Sequence, residues 1–221
     1  MRDFSFIDFN LLLFAARWTI LLSLIAFFGG GLVGALVATL RVSRSPVLRR
    51  IAQIYILVLQ GTPLLMQIFL AYFGLALLGV DLPAAVSATI ALTTYASAFF
   101  AEIWRGTIEA IPRPQWEGSS SLGLTRTEQL RYVIVPQAMR IALAPTVGFA
   151  VQIVKNTSLT AIIGFTELAR ASQLINNATF QPFLVFGCAA GIYFAMCFPL
   201  SVLSRKLERR LHVGRAGLAR Q

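Results

Sequence analysis

The sequence predicts an all-α integral membrane protein with five transmembrane helices, organised as a single domain. The first observation is compositional: 57% of the 221 residues are hydrophobic and only 13% are charged, where soluble domains carry about 25% charged residues. The second is the length of the uncharged stretches. Residues 19–40, 51–80, 82–101 and 180–204 contain no Asp, Glu, Lys or Arg, and a span needs ~20 mostly apolar residues. The third is where the cations fall. Arg41, Arg44, Arg49 and Arg50 sit in the first connection, and Arg105, Arg113, Arg126, Arg131 and Arg140 in or beside the third. Arg205, Lys206, Arg209, Arg210, Arg215 and Arg220 make up the tail. Chain crossings at every apolar run put these groups on one side, the pattern of cytoplasmic loops. The reading is therefore carboxyl terminus inside, amino terminus outside.

Taken in order, residues 3–17 mix Asp3, Asp8 and Asn10 with aromatic and aliphatic residues, and read as a short interfacial helix leading into the membrane. The first span covers about residues 19–40 and contains Gly30 and Gly34, a small-residue spacing that suits close helix approach. The second, about 51–78, is interrupted by Gly61-Thr62-Pro63, where proline removes a backbone donor and a kink or break follows. Gly79 to Pro83 makes a turn, and the third span runs over about 84–108. Residues 109–132 change character, with prolines, hydroxyls and charges, and form a loop outside the bilayer on the basic side. The fourth span, about 136–154, carries Gln137, Arg140, Pro145 and Gln152. Residues 155–181 are mixed and suit short helices along an interior path. The fifth span, about 180–203, contains Gly187 and Gly191.

Several function classes fall away. The net charge of +10 suggests nucleic acid, but the cations follow the loops and charge alone names no partner. Cys188 and Cys197 point to opposite faces of one helix at ~100° per residue, so they read as packing residues. His212, in the basic tail, has no companion at ligand spacing. The start, with Arg2 and Asp3 before a long apolar region, does not read as a cleavable signal peptide. No Gly-x-x-x-x-Gly-Lys-Ser/Thr phosphate loop occurs, so the chain lacks the means to cradle ATP phosphates. The serines 119–121 have no neighbouring base signature, and no pair of carboxylates lies within the spans, which removes the commonest acid–base devices of an intramembrane enzyme. A self-sufficient secondary carrier or channel is the alternative, but no inverted repeat is visible.

The loop at 109–132 carries the functional signal. Gly123 suits the positive φ that ends a helix, and Thr125 with Glu128 matches a capping box that starts the next; two short helices with a glycine turn between them are expected. The wider spacing resembles the permeases of bacterial ABC importers, whose cytoplasmic loop reads Glu-Ala-Ala-x3-Gly-x9-Ile-x-Leu-Pro. Glu117, Gly123 and Pro136 fall at the family spacing, Val133 and Val135 replace Ile and Leu, and Gly118-Ser119 replaces Ala-Ala. Gln60-Gly61-Thr62-Pro63-Leu64-Leu65, Ala101-Glu102-Ile103-Trp104-Arg105-Gly106 and Lys155-Asn156-Thr157-Ser158-Leu159 are similar to the polar amino-acid (histidine/glutamine-type) branch. Typical members have Arg in place of Gln60 and Lys-Asp in place of Lys155-Asn156.

That resemblance implies a type I ABC importer permease in a bacterial inner membrane, not itself an enzyme. Glu117, Gly118, Ser119, Leu122, Gly123 and Leu124 would couple it to a separate ATPase dimer, which uses ATP-Mg; no cofactor is expected on this chain. A second permease subunit, a copy or a paralogue, would complete the path, and a periplasmic binding protein would deliver a polar amino acid. Polar residues within or beside the spans are costly in lipid and mark the candidate path: Thr62, Gln67, Thr94, Tyr95, Ser97, Gln152, Lys155, Asn156, Thr157 and Ser158. For any single Ser or Thr, a hydrogen bond to its own helix is the competing role. Lys155 with no mid-span carboxylate favours neutral or acidic polar amino acids over arginine or lysine.

Overall fold

A computed structural model describes the backbone of residues 2–218 and the side chains of residues 2–210. His212, Arg215 and Arg220 fall outside the described side chains.

Helix α1, Phe6–Arg41, is continuous over 36 residues, so the separate interfacial helix expected at 3–17 does not exist. No Gly or Pro interrupts the run before Gly29, and Asp8 anchors its start by accepting from the Ser5 amide at 2.9 Å and the Arg2 guanidinium at 2.7 Å. At ~1.5 Å per residue the helix outreaches a ~30 Å hydrocarbon core. Part of the helix therefore projects beyond the bilayer, and its amino-terminal end is tied to the start of the last helix. The Phe4 amide and the Asp3 carboxylate are pinned there by Gln181, at 3.2 and 3.0 Å.

Helices α2, Pro46–Gly61, and α3, Leu64–Leu77, meet at 102°, a break and not the kink that proline alone requires. Pro63 has no N–H to offer the carbonyl of Leu59, one turn back. The Gln67 amide replaces it, donating to Leu59 O at 2.7 Å and to Thr62 Oγ1 at 3.0 Å. Gly79, at φ 81°, turns the chain into α4, Ala84–Glu109.

α4 packs most extensively against α1, and the Gly30/Gly34 pair is the reason. A Cβ on Gly30 would lie 2.6 Å from the Ala96 Cβ, and one on Gly34 2.9 Å from the Phe100 Cβ. No side chain other than hydrogen fits there. Phe27 and Phe100 close the seam edge-to-face with ring centroids 5.2 Å apart. Gly187 and Gly191 differ: no atom lies within 4 Å of a Cβ on either, and both are exposed, so neither mediates a close contact within the chain.

Helix α5 is Arg113–Ser121 and α6 is Arg126–Ile163, well beyond the expected span of 136–154. Pro136 cannot donate to the preceding turn, and the helix absorbs it with a π segment at Gln129–Ile134. α6 tightens to a 3₁₀ turn over Thr157–Ile163 and ends at Gly164, φ 85°. Helix α7, Leu168–Thr179, ends on the left-handed Phe180, and α8, Pro182–Leu218, follows. The last span thus begins at Pro182, and residues up to 218 remain helical.

Among the described residues, four helices are long and apolar enough to cross a membrane: α1, α4, α6 and α8. The fifth crossing is the bent pair. Pro46 follows Arg41 closely, and a shared cavity places Arg41 and Arg49 beside Glu109, the far end of α4. The chain must therefore cross between Pro46 and Ala84, and α2 with α3 is the only structure that carries it. The same geometry gathers Arg41, Arg49 and Arg126 on one side.

Candidate functional site

The candidate coupling loop is a hydrogen-bonded turn that leads into a spanning helix. At the end of α5 the Gly123 amide bonds to Ser120 O at 2.9 Å and the Leu124 amide to Ser119 O at 3.3 Å. These two bonds with Gly123 at φ 73° constitute a Schellman motif, which satisfies carbonyls the helix end leaves open. Thr125 then caps α6. Its amide donates to Glu128 Oε2 at 2.8 Å, and its hydroxyl accepts from the Glu128 amide at 3.4 Å. The Thr125 hydroxyl also donates to Glu128 Oε2 at 2.7 Å, and this bond, with the one from the Thr125 amide, holds the Glu128 carboxyl below its usual range. The expected second short helix is therefore the first turn of α6, so the loop runs directly into that span.

The body side of the loop is apolar. Trp116 and Leu130 pack on buried Ile111, Ile134 and Ala138, Gln137 bonds to Gln115 at 3.1 Å, and the buried Gln129 amide donates to Leu124 O at 2.9 Å. The six candidate coupling residues divide on this basis. Ser119 is buried, with its hydroxyl on Trp116 O of the same helix at 2.8 Å, and Leu124 is half-buried; neither is part of the outward face. Glu117, Gly118 and Gly123 are exposed, and Leu122 is 79% exposed. An acid, small residues and one bare leucine make the outward face.

The candidate path residues also divide. Thr62 and Gln67 close the α2–α3 break. Thr94 returns its hydroxyl to Ile90 O at 2.9 Å, and Ser158 and Thr157 bond back to Lys155 O and Val154 O at 2.7 and 2.8 Å. Ser97 is buried and meets the Tyr55 hydroxyl at 2.6 Å; with Gln60 on Ala98 O at 3.3 Å, it ties α2 to α4. What remains is a strip where α4 faces α6. Tyr95 and Phe99 stack with Phe149, at 6.3 and 5.1 Å. Gln152 and Asn156 continue from Phe149 at helical spacing, joined at 3.2 Å. Gln152 and Lys155 are exposed.

Sequence reasoning missed three features. Phe99 and Phe149 were hidden among other apolar residues. Arg126 stacks on Trp116, 3.9 Å from the ring centroid, and no spacing rule pairs them. Glu167, fully buried, caps α7 through the Arg170 amide at 2.9 Å and accepts from the Tyr193 and Thr19 hydroxyls at 2.8 and 3.3 Å, joining α1, α7 and α8. Desolvation raises its pKa, which hydrogen bonds to the ionised form only partly offset.

Residues 30–213 match the family of the binding-protein-dependent transport system inner membrane component. The chain is 33% identical over 193 residues to the probable amino-acid ABC transporter permease protein YckA of Bacillus subtilis (strain 168), covering 87% of this chain and 85% of the relative. It is 32% identical over 205 residues to the glutamine transport system permease protein GlnP of Escherichia coli (strain K12), covering 92% and 94%. The crystal structure of an amino acid ABC transporter with histidines superposes with a TM-score of 0.88 at 33% identity, covering 95% of this chain and all of that one. These likenesses favour the permease subunit over the self-sufficient carrier or channel. With its helical spans and loop, this chain belongs to the family of binding-protein-dependent transport system inner membrane components, a multi-pass permease subunit of the inner membrane rather than an enzyme.

Proposed function

We propose that this chain is one half of the translocation core of an amino-acid importer, paired with a second permease subunit and driven by a separate ATPase dimer that binds ATP-Mg. A periplasmic binding protein delivers the amino acid. The carrying observation is the outward face of the coupling loop: Glu117, Gly118 and Leu122 are exposed on a turn fused to α6. Displacement of that face by a partner therefore moves a spanning helix directly. The basic ends of the helices face the cytoplasm and the amino terminus the periplasm, in keeping with the positive-inside rule.

The strip from Tyr95 to Lys155 is the substrate face in this reading. It offers aromatic rings, an amide pair and one exposed cation, which suits a neutral or acidic polar amino acid; the glutamine permease among its relatives agrees with that class. Co-purification with an ATPase subunit, followed by amino-acid-stimulated ATP hydrolysis, tests the assignment. Arginine proving the best competitor for uptake would overturn the substrate class. A reporter fused after Gln221 is expected to be active in the cytoplasm, and activity confined to the periplasm would refute the orientation.

A further inference from the structure

A cavity of about 380 Å³ opens beside the coupling helix, lined by Arg41, Ser43, Arg49, Glu109, Trp116 and Arg126. Its charges are unbalanced. Glu109 is the one carboxylate in the lining, and Arg105 already holds it in an ion pair. Among the described residues, neither Arg41, Arg49 and Arg126 nor the adjacent Arg44 forms a direct ion pair, although Glu102 lies near enough to Arg41 to feel its charge. Partial desolvation and the charge of Arg44 both lower the pKa of Arg126, as expected where like charges converge, and Arg126, Arg44 and Arg49 all remain exposed. Trp116 fixes the Arg126 guanidinium plane from one side, leaving its N–H groups available.

We infer that this cavity binds the phosphate of an anionic phospholipid headgroup from the inner leaflet. Guanidinium forks match phosphate oxygens in pairs, and concave sites of one sign attract the opposite ion. The level is that of a lipid phosphate, because the cavity is built where α1 ends, α2 begins and α4 ends. Beside Arg49, the exposed Val47, Leu48 and Ile51 give an acyl chain an apolar surface, which a free phosphate ion would not need. A bound headgroup would join three span ends to the coupling helix through Trp116 and Arg126.

The inference rests on the inward orientation proposed above, but its test does not require coupling. The purified permease is placed in nanodiscs of phosphatidylethanolamine with phosphatidylglycerol, and retained lipid is counted by native mass spectrometry. Wild type is expected to retain phosphatidylglycerol selectively, Arg49→Gln and Arg126→Gln each to weaken retention about fivefold, and Arg205→Gln, outside the cavity, to leave it unchanged. Excess inorganic phosphate should not displace the lipid. Equal retention by wild type and the Arg49→Gln/Arg126→Gln double variant would overturn the inference, and displacement by inorganic phosphate would assign the site to a free anion. Release of the lipid on addition of the ATPase subunit would assign it to a protein contact instead. Should the variants not assemble, thermal melting of wild type decides: no stabilisation by phosphatidylglycerol over phosphatidylethanolamine also refutes the site.

Discussion

Replacing Gly123 by valine probes the coupling turn through its backbone. Gly123 sits at φ 73°, and a Cβ there would meet no atom within 4 Å, so no clash contributes. The left-handed conformation alone costs a β-branched residue on the order of 1–2 kcal/mol, a factor of about 5–30 in the population of the native turn. Escape to negative φ would break the bonds from Gly123 to Ser120 and from Leu124 to Ser119, and Thr125 would lose its place as cap of α6. Gly123→Val should therefore insert normally while co-purified ATPase and initial uptake fall by up to that factor. Gly123→Asn, which tolerates the left-handed region, should stay close to wild type. Membrane yield, bound ATPase and uptake are measured in the same cells. Wild-type uptake by Gly123→Val would show that the turn does not couple. Equal losses in the Val and Asn variants would refute the conformational reasoning and point to side-chain exclusion at the partner surface.

Gly34→Ala should lower the thermal midpoint of the purified protein, with an overpacking cost of about 1–3 kcal/mol, because its Cβ would lie 2.9 Å from Phe100. Gly191→Ala, with open space around it, should hold or raise the midpoint of the isolated chain, since alanine is the better helix former. Gln67→Leu should cost about 1–3 kcal/mol, seen as faster proteolysis near the α2–α3 break, since the Leu59 carbonyl loses the donor that stands in for Pro63. Glu167→Ala should destabilise more than Tyr193→Phe in the same melting assay, because it strands the Tyr193 hydroxyl and the Arg170 amide together.

What the sequence determined by itself is of two kinds, and both are local. Long uncharged runs dictate the spans, because lipid excludes charge, and the arginines between them predict the sidedness. Gly123, Thr125 and Glu128 dictate the coupling turn, because its hydrogen bonds join residues within one helical turn of each other. The tertiary structure alone decided which glycine pair mediates packing: Gly30 and Gly34 meet α4, while Gly187 and Gly191 face outward. It also decided that Pro63 opens to 102°, that Glu167 is sealed between three helices, and that Arg126 joins Arg41 and Arg49 at one cavity. The physical reason is the solvent. In water an apolar stripe marks the buried face of a helix, but in a bilayer lipid-facing and protein-facing surfaces are equally apolar. Periodicity then says nothing about which face packs, and contacts between distant segments follow only from the assembled helices.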